Sequence, residues 1–113
     1  YPSEVLGDDE LWKKCKPVVT KAYAERNSEM LAAQWQACLE YSAINQLSNC
    51  TRPLHVIAFD QDLQTPPAKG KLVSDAAADG YFHLLSGLGH CSVFRHKPKI
   101  VADKIREIIL QKN

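Results

Sequence analysis

Two short, nearly continuous apolar runs constrain this chain more than anything else in it. The first is Leu54-His55-Val56-Ile57-Ala58-Phe59 and the second is Tyr81-Phe82-His83-Leu84-Leu85. Each has the length of a strand, and neither alternates apolar with polar residues as a strand with one wet face would. Such runs read as strands covered on both faces. Between them residues 68–78 read as a helix, stopped by Asp79-Gly80 with the glycine at its C′ position. Beyond them, Pro98 opens a helix with Val101, Ile105, Ile108 and Ile109 on one stripe. Strand, helix, strand, helix predicts parallel strands joined by a right-handed crossover, and so an α/β fold class. Two parallel strands are not a sheet, because each leaves edges that need neighbours. The unit therefore asks for more strands than the chain supplies, to come from a cleaved precursor, a split subunit or a domain-swapped partner.

The first half has a different period. Asp8 or Asp9 can cap a helix whose apolar positions are Leu11, Trp12, Cys15, Val18, Val19, Ala22 and Tyr23. Pro17 lacks an N–H and is expected to kink this helix or to begin a new one. Ser28 is the candidate N-cap of a second helix, with Leu31, Trp35, Cys38, Leu39 and Ser42 on one face, running to about Leu47. Residues 48–53 form a linker. The expected organisation is a helical segment over 1–50 and a β-α-β-α unit over 51–113.

Charge and cysteine usage narrow the classes. The net charge of +1 leaves no electrostatic footprint for nucleic acid. No apolar stretch approaches the ~20 residues that span a bilayer. Cys15, Cys38, Cys50 and Cys91 match no zinc spacing, and no secretory leader is present. They read as free, mostly buried thiols in a reducing compartment, which points to the cytoplasm. Asn49-Cys50-Thr51 fits the glycosylation pattern by chance in that setting. The chain starts at Tyr1 without methionine, which suits a processed or cleaved product. No cofactor is implied.

The chemistry-bearing residues follow the two strands. Asp62 lies in Asp60-Gln61-Asp62-Leu63-Gln64-Thr65-Pro66, just past the first, and His90 in Gly87-Leu88-Gly89-His90, just past the second. Acid then histidine, each in a loop after a strand, is the tail of a Ser…Asp…His chain order, yet no G-x-S-x-G occurs. His90 is the candidate base, and Asp62 would orient its ring; an Asx turn or helix cap is the competing reading of Asp62. Asp60 is the second-choice acid. His55 and His83 fall inside strands and read as core or edge histidines, and His96 as surface or helix entry. His83, His90, Cys91, His96 and Asp62 lack metal-ligand spacing. Cys91, Ser86 and Ser92 are set aside as nucleophiles because this order takes its nucleophile from an earlier strand-to-helix elbow.

These residues resemble the C-terminal part of an α/β-hydrolase-fold enzyme. Asp62 fills the family's acid position with Pro66 a few residues on, and Gly87-Leu88-Gly89-His90 matches its histidine motif; Phe59 replaces a frequent glycine and His96 a frequent glutamate. The resemblance covers residues 53–110, and 31–47 look like the helix leading out of the lid. It implies a partial α/β-hydrolase fold, with a lid over 1–50 and a sheet completed by another segment or chain. It implies the acid-and-base half of a serine-type hydrolase, an esterase or thioesterase acting on a small-molecule acyl bond. The nucleophile elbow and oxyanion hole would come from a second polypeptide or fragment. Acyl transfer, C–C hydrolysis, lyase or cyclase chemistry, or a non-catalytic interaction subunit, are the alternatives. Trp12, Trp35, Tyr23 and Tyr41 would be core or would line an apolar pocket, and such a lid suits an acyl chain or an aromatic acid.

Overall fold

The computed structural model describes residues 1–111, so the last two residues of the 51–113 unit lie outside the described residues. Helices fill the first part: α1 (Ser3–Leu6), α2 (Asp9–Ala24), α3 (Ser28–Glu40) and a 3₁₀ turn (Ile44–Asn49). Then come β1 (Leu54–Phe59), α4 (Pro67–Ala76), β2 (Gly80–Leu85), a 3₁₀ turn (His90–Val93) and α5 (Pro98–Leu110). No helix among the described residues is long and apolar enough to cross a membrane.

The two strands pair in parallel, in the register Leu54↔Gly80 through Phe59↔Leu85. Period-two alternation then divides their side chains between two helices. Val56, Ala58 and Phe82 face α4, where Gly70 permits close approach: a Cβ there would lie 3.3 Å from Val56 Cγ1 and 3.4 Å from the Ala58 Cβ. On the other face Phe59 packs with Leu88 and with Val101 of α5, flanked by Ile57, Leu85 and Val93. Among the described residues the sheet has two strands, and β1 pairs on one side only. An open apolar hollow of about 520 Å³ lies beside it, bounded by Ile57, Phe59, Val101 and Ile105.

Several local expectations are corrected. Helix α2 runs on through Pro17, losing one backbone donor without ending there. The N-cap of α3 is Asn27 rather than Ser28; its Oδ1 accepts from the Glu29 and Met30 amides at 2.9 and 3.0 Å. α3 ends at Glu40, not near Leu47, because Tyr41 turns extended (ψ 131°) and the chain re-forms as the 3₁₀ turn, which packs on α4. Gly80 is not a helix C′ residue: Ala77 caps α4 and Gly80 opens β2. Its need for glycine is steric, since a Cβ would sit 1.9 Å from the Ser74 carbonyl oxygen. Gly80→Ala should therefore cost roughly 2–3 kcal/mol of stability, read by urea unfolding.

The apolar faces of α2 and α3 are not buried core. Tyr23, Trp35, Leu39 and Tyr41 are exposed, and Trp12 meets Tyr1 edge-on at 6.2 Å. Ile105 and Ile109 of α5 are exposed too, while Val101 and Ile108 are buried. The cysteines are free, but Cys38 is exposed and Cys15, Cys50 and Cys91 half-buried, not mostly buried.

Candidate active site

Parallel pairing carries the loops after β1 and β2 to the same end of the sheet, where open α/β folds place their ligands. Two bonds tie these loops together. Asp60 Oδ1 accepts from the Gly87 amide at 2.8 Å, and the Gln61 amide donates to the Leu88 carbonyl at 3.0 Å. Gly87 turns the second loop with φ +72°, a conformation that costs glycine little. Asp60 is thus occupied as a loop tie, and the choice between the two acids is made by geometry.

Asp62 lies at the centre of this arrangement, 5% exposed. Its Oδ1 accepts from the amides of Gln64 (2.9 Å) and Thr65 (2.8 Å). Its Oδ2 accepts from the Thr65 hydroxyl at 2.7 Å and lies 2.9 Å from His90 Nδ1. The Asx turn and the histidine contact are therefore not alternatives: one oxygen makes the turn, and the turn aims the other at His90. Burial raises the Asp62 pKa, but the bonds from the Thr65 amide and hydroxyl and from His90 outweigh it, leaving the carboxyl below the usual aspartate range. An ionised carboxylate only accepts, so the contact calls for a proton on Nδ1, and in the neutral ring of that tautomer the lone pair is on Nε2. Among the described residues both hydrogen bonds of His90 are made at Nδ1, and its side chain is 41% exposed.

The wall behind His90 is the start of the chain. Pro2 and Val5 are buried, and a Cβ on Gly89 would fall 2.8 Å from the Pro2 nitrogen and 2.9 Å from the Tyr1 carbonyl carbon. Gln61 Oε1 accepts from the Ser3 amide (2.7 Å) and hydroxyl (2.8 Å), binding this segment to the Asp62 loop. Ser92 is fully buried; its hydroxyl accepts from the Gly89 amide at 2.9 Å and shapes the turn that begins with His90. His96 is not a surface residue: it is 11% exposed at its side chain, 3.3 Å from Ser92 Oγ and 3.6 Å from Glu4. Glu4 also pairs with Lys97. His55 and His83 lie away from this loop end, on the α5 face of the sheet, with ring nitrogens 3.0 Å apart and the His55 ring stacked on Tyr81 at 4.7 Å.

Sequence reasoning missed Thr65, Gln61 and the 1–5 segment as parts of this site. The spacing Asp62-Leu63-Gln64-Thr65 is an Asx-turn signature and could have disclosed Thr65. Nothing local marks the contact between residues 1–5 and Gly89, because it closes over most of the chain length.

Two solved structures share the fold of this chain. One is a crystal structure from Mycobacterium tuberculosis H37Rv described as a candidate non-heme bromoperoxidase, BpoC; it superposes with a TM-score of 0.83 over 100% of this chain, at 21% identity. The other, Rv0554 from Mycobacterium tuberculosis, gives 0.82 over 98%, at 22% identity. The chain has the C-terminal portion of an α/β-hydrolase fold. The chain spans 41% and 40% of the lengths of those two structures, so the α/β-hydrolase fold is represented in part. No protein-family model matches the chain, and no curated protein matches it.

Proposed function

We propose that this chain supplies the acid and base of a serine-type α/β hydrolase acting on an ester, thioester or related acyl bond. The observation that carries the reading is the Asp62 Oδ2–His90 Nδ1 contact of 2.9 Å, with the acid buried and the histidine open to a cleft. In this role His90 Nε2 takes the proton of an attacking hydroxyl and returns it to the leaving group; in the second half-reaction it takes a proton from water. Asp62 holds the tautomer and stabilises the imidazolium. Thr65 and Gln61 are positioning residues, acting through Asp62 and its loop.

The attacking hydroxyl and the oxyanion-hole amides come from sheet structure beyond these two strands. The free side of β1 is where such structure would continue, and a strand covered on both faces favours pairing at that edge. Ester hydrolysis is therefore expected only when this chain is joined to, or assembled with, a segment carrying a nucleophile elbow. The test compares turnover of p-nitrophenyl esters by the chain alone and by the assembled protein, with native mass spectrometry to identify what accompanies the chain. Turnover by the isolated chain would sink the reading.

A further inference from the structure

Helices α2 and α3 and the His90 loop line a second cleft, of about 500 Å³. Val18, Val19 and Ala22 of α2 and Leu31 and Trp35 of α3 make its apolar wall, and His90 opens into it. A smaller hollow of about 340 Å³ shares Arg26, Leu31, Trp35 and Gln64 with it and reaches Thr65. The combined space is that of a small-molecule site.

Its charge is one-sided. Arg26 and Arg95 line the cleft, and among the described residues no aspartate or glutamate lines either hollow. Among the described residues neither guanidinium enters an ion pair. Arg106, by contrast, lies 3.4 Å from Asp103, and Lys71 of α4 and Lys99 and Lys104 of α5 meet carboxylates three or four residues away. Arg26 is held in place otherwise: its guanidinium carbon lies 5.0 Å over the Tyr23 ring, which leaves its edge donors available. Two guanidinium groups without an ion-pair partner among the described residues, in a concave cleft with one apolar wall, attract an oxyanion, and their forked donors match a carboxylate or phosphate.

We propose that the substrate is an acyl compound bearing an oxyanion, read by Arg26 and Arg95, on an apolar body that lies against α2 and α3. This rests on His90 being the base of an acyl-bond site, and it assigns the substrate class of that site.

Unreactive probes separate this inference from the reaction itself. Phenylbutyrate and phenylbutanamide differ only in charge, and their binding to the assembled protein is measured by calorimetry. Binding of the carboxylate should be tighter by about tenfold or more. The ratio should fall to near unity in the Arg26→Gln/Arg95→Gln double variant, with partial recovery in Arg26→Lys/Arg95→Lys. In kinetics, the preference for the p-nitrophenyl monoester of glutarate over p-nitrophenyl valerate should fall in parallel. Equal binding of the two probes by the native protein, or a preference that survives the double variant, overturns the inference even if esters are turned over. An arginine-dependent preference without turnover of any ester supports the oxyanion site and overturns the hydrolase reading instead.

Discussion

His90→Ala in the assembled protein is expected to lower kcat/KM for ester hydrolysis by about 10³-fold or more, with assembly unchanged. The chemical reason is that neither described neighbour of the ring can stand in. Asp62 is buried behind the ring, and Thr65 bonds to Nδ1 and not to the catalytic face. The structural reason for unchanged assembly is that the His90 ring is 41% exposed, whereas the turn holding it is fixed by buried Ser92 and by Gly89 against Pro2. Truncating a part-exposed ring leaves those contacts in place. Steady-state kinetics and native mass spectrometry together check both halves of this outcome. Full activity in the variant would show that the chain acts as a non-catalytic interaction subunit.

Asp62→Asn is expected to be nearly as damaging, at about 10³–10⁴-fold in kcat, while the protein stays folded. Asparagine can keep Oδ1 on the Gln64 and Thr65 amides, so the turn survives. Its amide then faces His90 Nδ1 and the Thr65 hydroxyl, where the carboxylate had accepted from both. A donor at that point favours the tautomer with an unprotonated Nδ1, placing the proton on Nε2, where it blocks base catalysis. Asp60→Asn is the control: it touches the Gly87 amide and not His90, so its effect should stay within about tenfold.

The same substitution has a signature in stability against pH. The Asp62 carboxyl is held below its unfolded value, so the carboxylate favours the folded state above the ordinary aspartate range. That contribution is lost as pH falls through the lower folded value. The asparagine variant has no such titration, so the stability difference between the two proteins should be largest near neutrality and shrink through the acid range. Glu4, Asp103 and Glu107 are also held low by lysine partners, but they are common to both proteins and cancel in the difference. Urea unfolding followed over a pH series reads this directly, and a difference that grows on acidification would contradict the assignment.

Much of this was legible in the residues themselves. Two apolar runs of strand length, a helix between them and Pro98 at the head of the last helix are local signals, and β1, β2 and α5 follow from them. The parallel direction of the strands follows from the connection, and it brings the residues after each strand to one end. Asp62 and His90 could be named because their motifs sit at those strand ends. The helical half was read less well, since the burial of an amphipathic face is a property of what lies opposite it. Leu31, Trp35 and Leu39 have helical spacing, yet they face a cleft or solvent.

Sequence by itself determined the α/β order, the parallel direction of the strands and the histidine, with Asp62 set ahead of Asp60 as its candidate acid. These depend on periodicity, on chirality and on short motifs, all of which act over a few residues. The tertiary structure alone decided that Asp62 and not Asp60 holds His90, because the Gly87 amide had first to claim Asp60. It alone joined Thr65 to the pair, placed residues 1–5 behind Gly89 and set Arg26 and Arg95 along one cleft. Each of those is a contact between segments far apart in the chain, whose energy depends on distance and desolvation that no local pattern records.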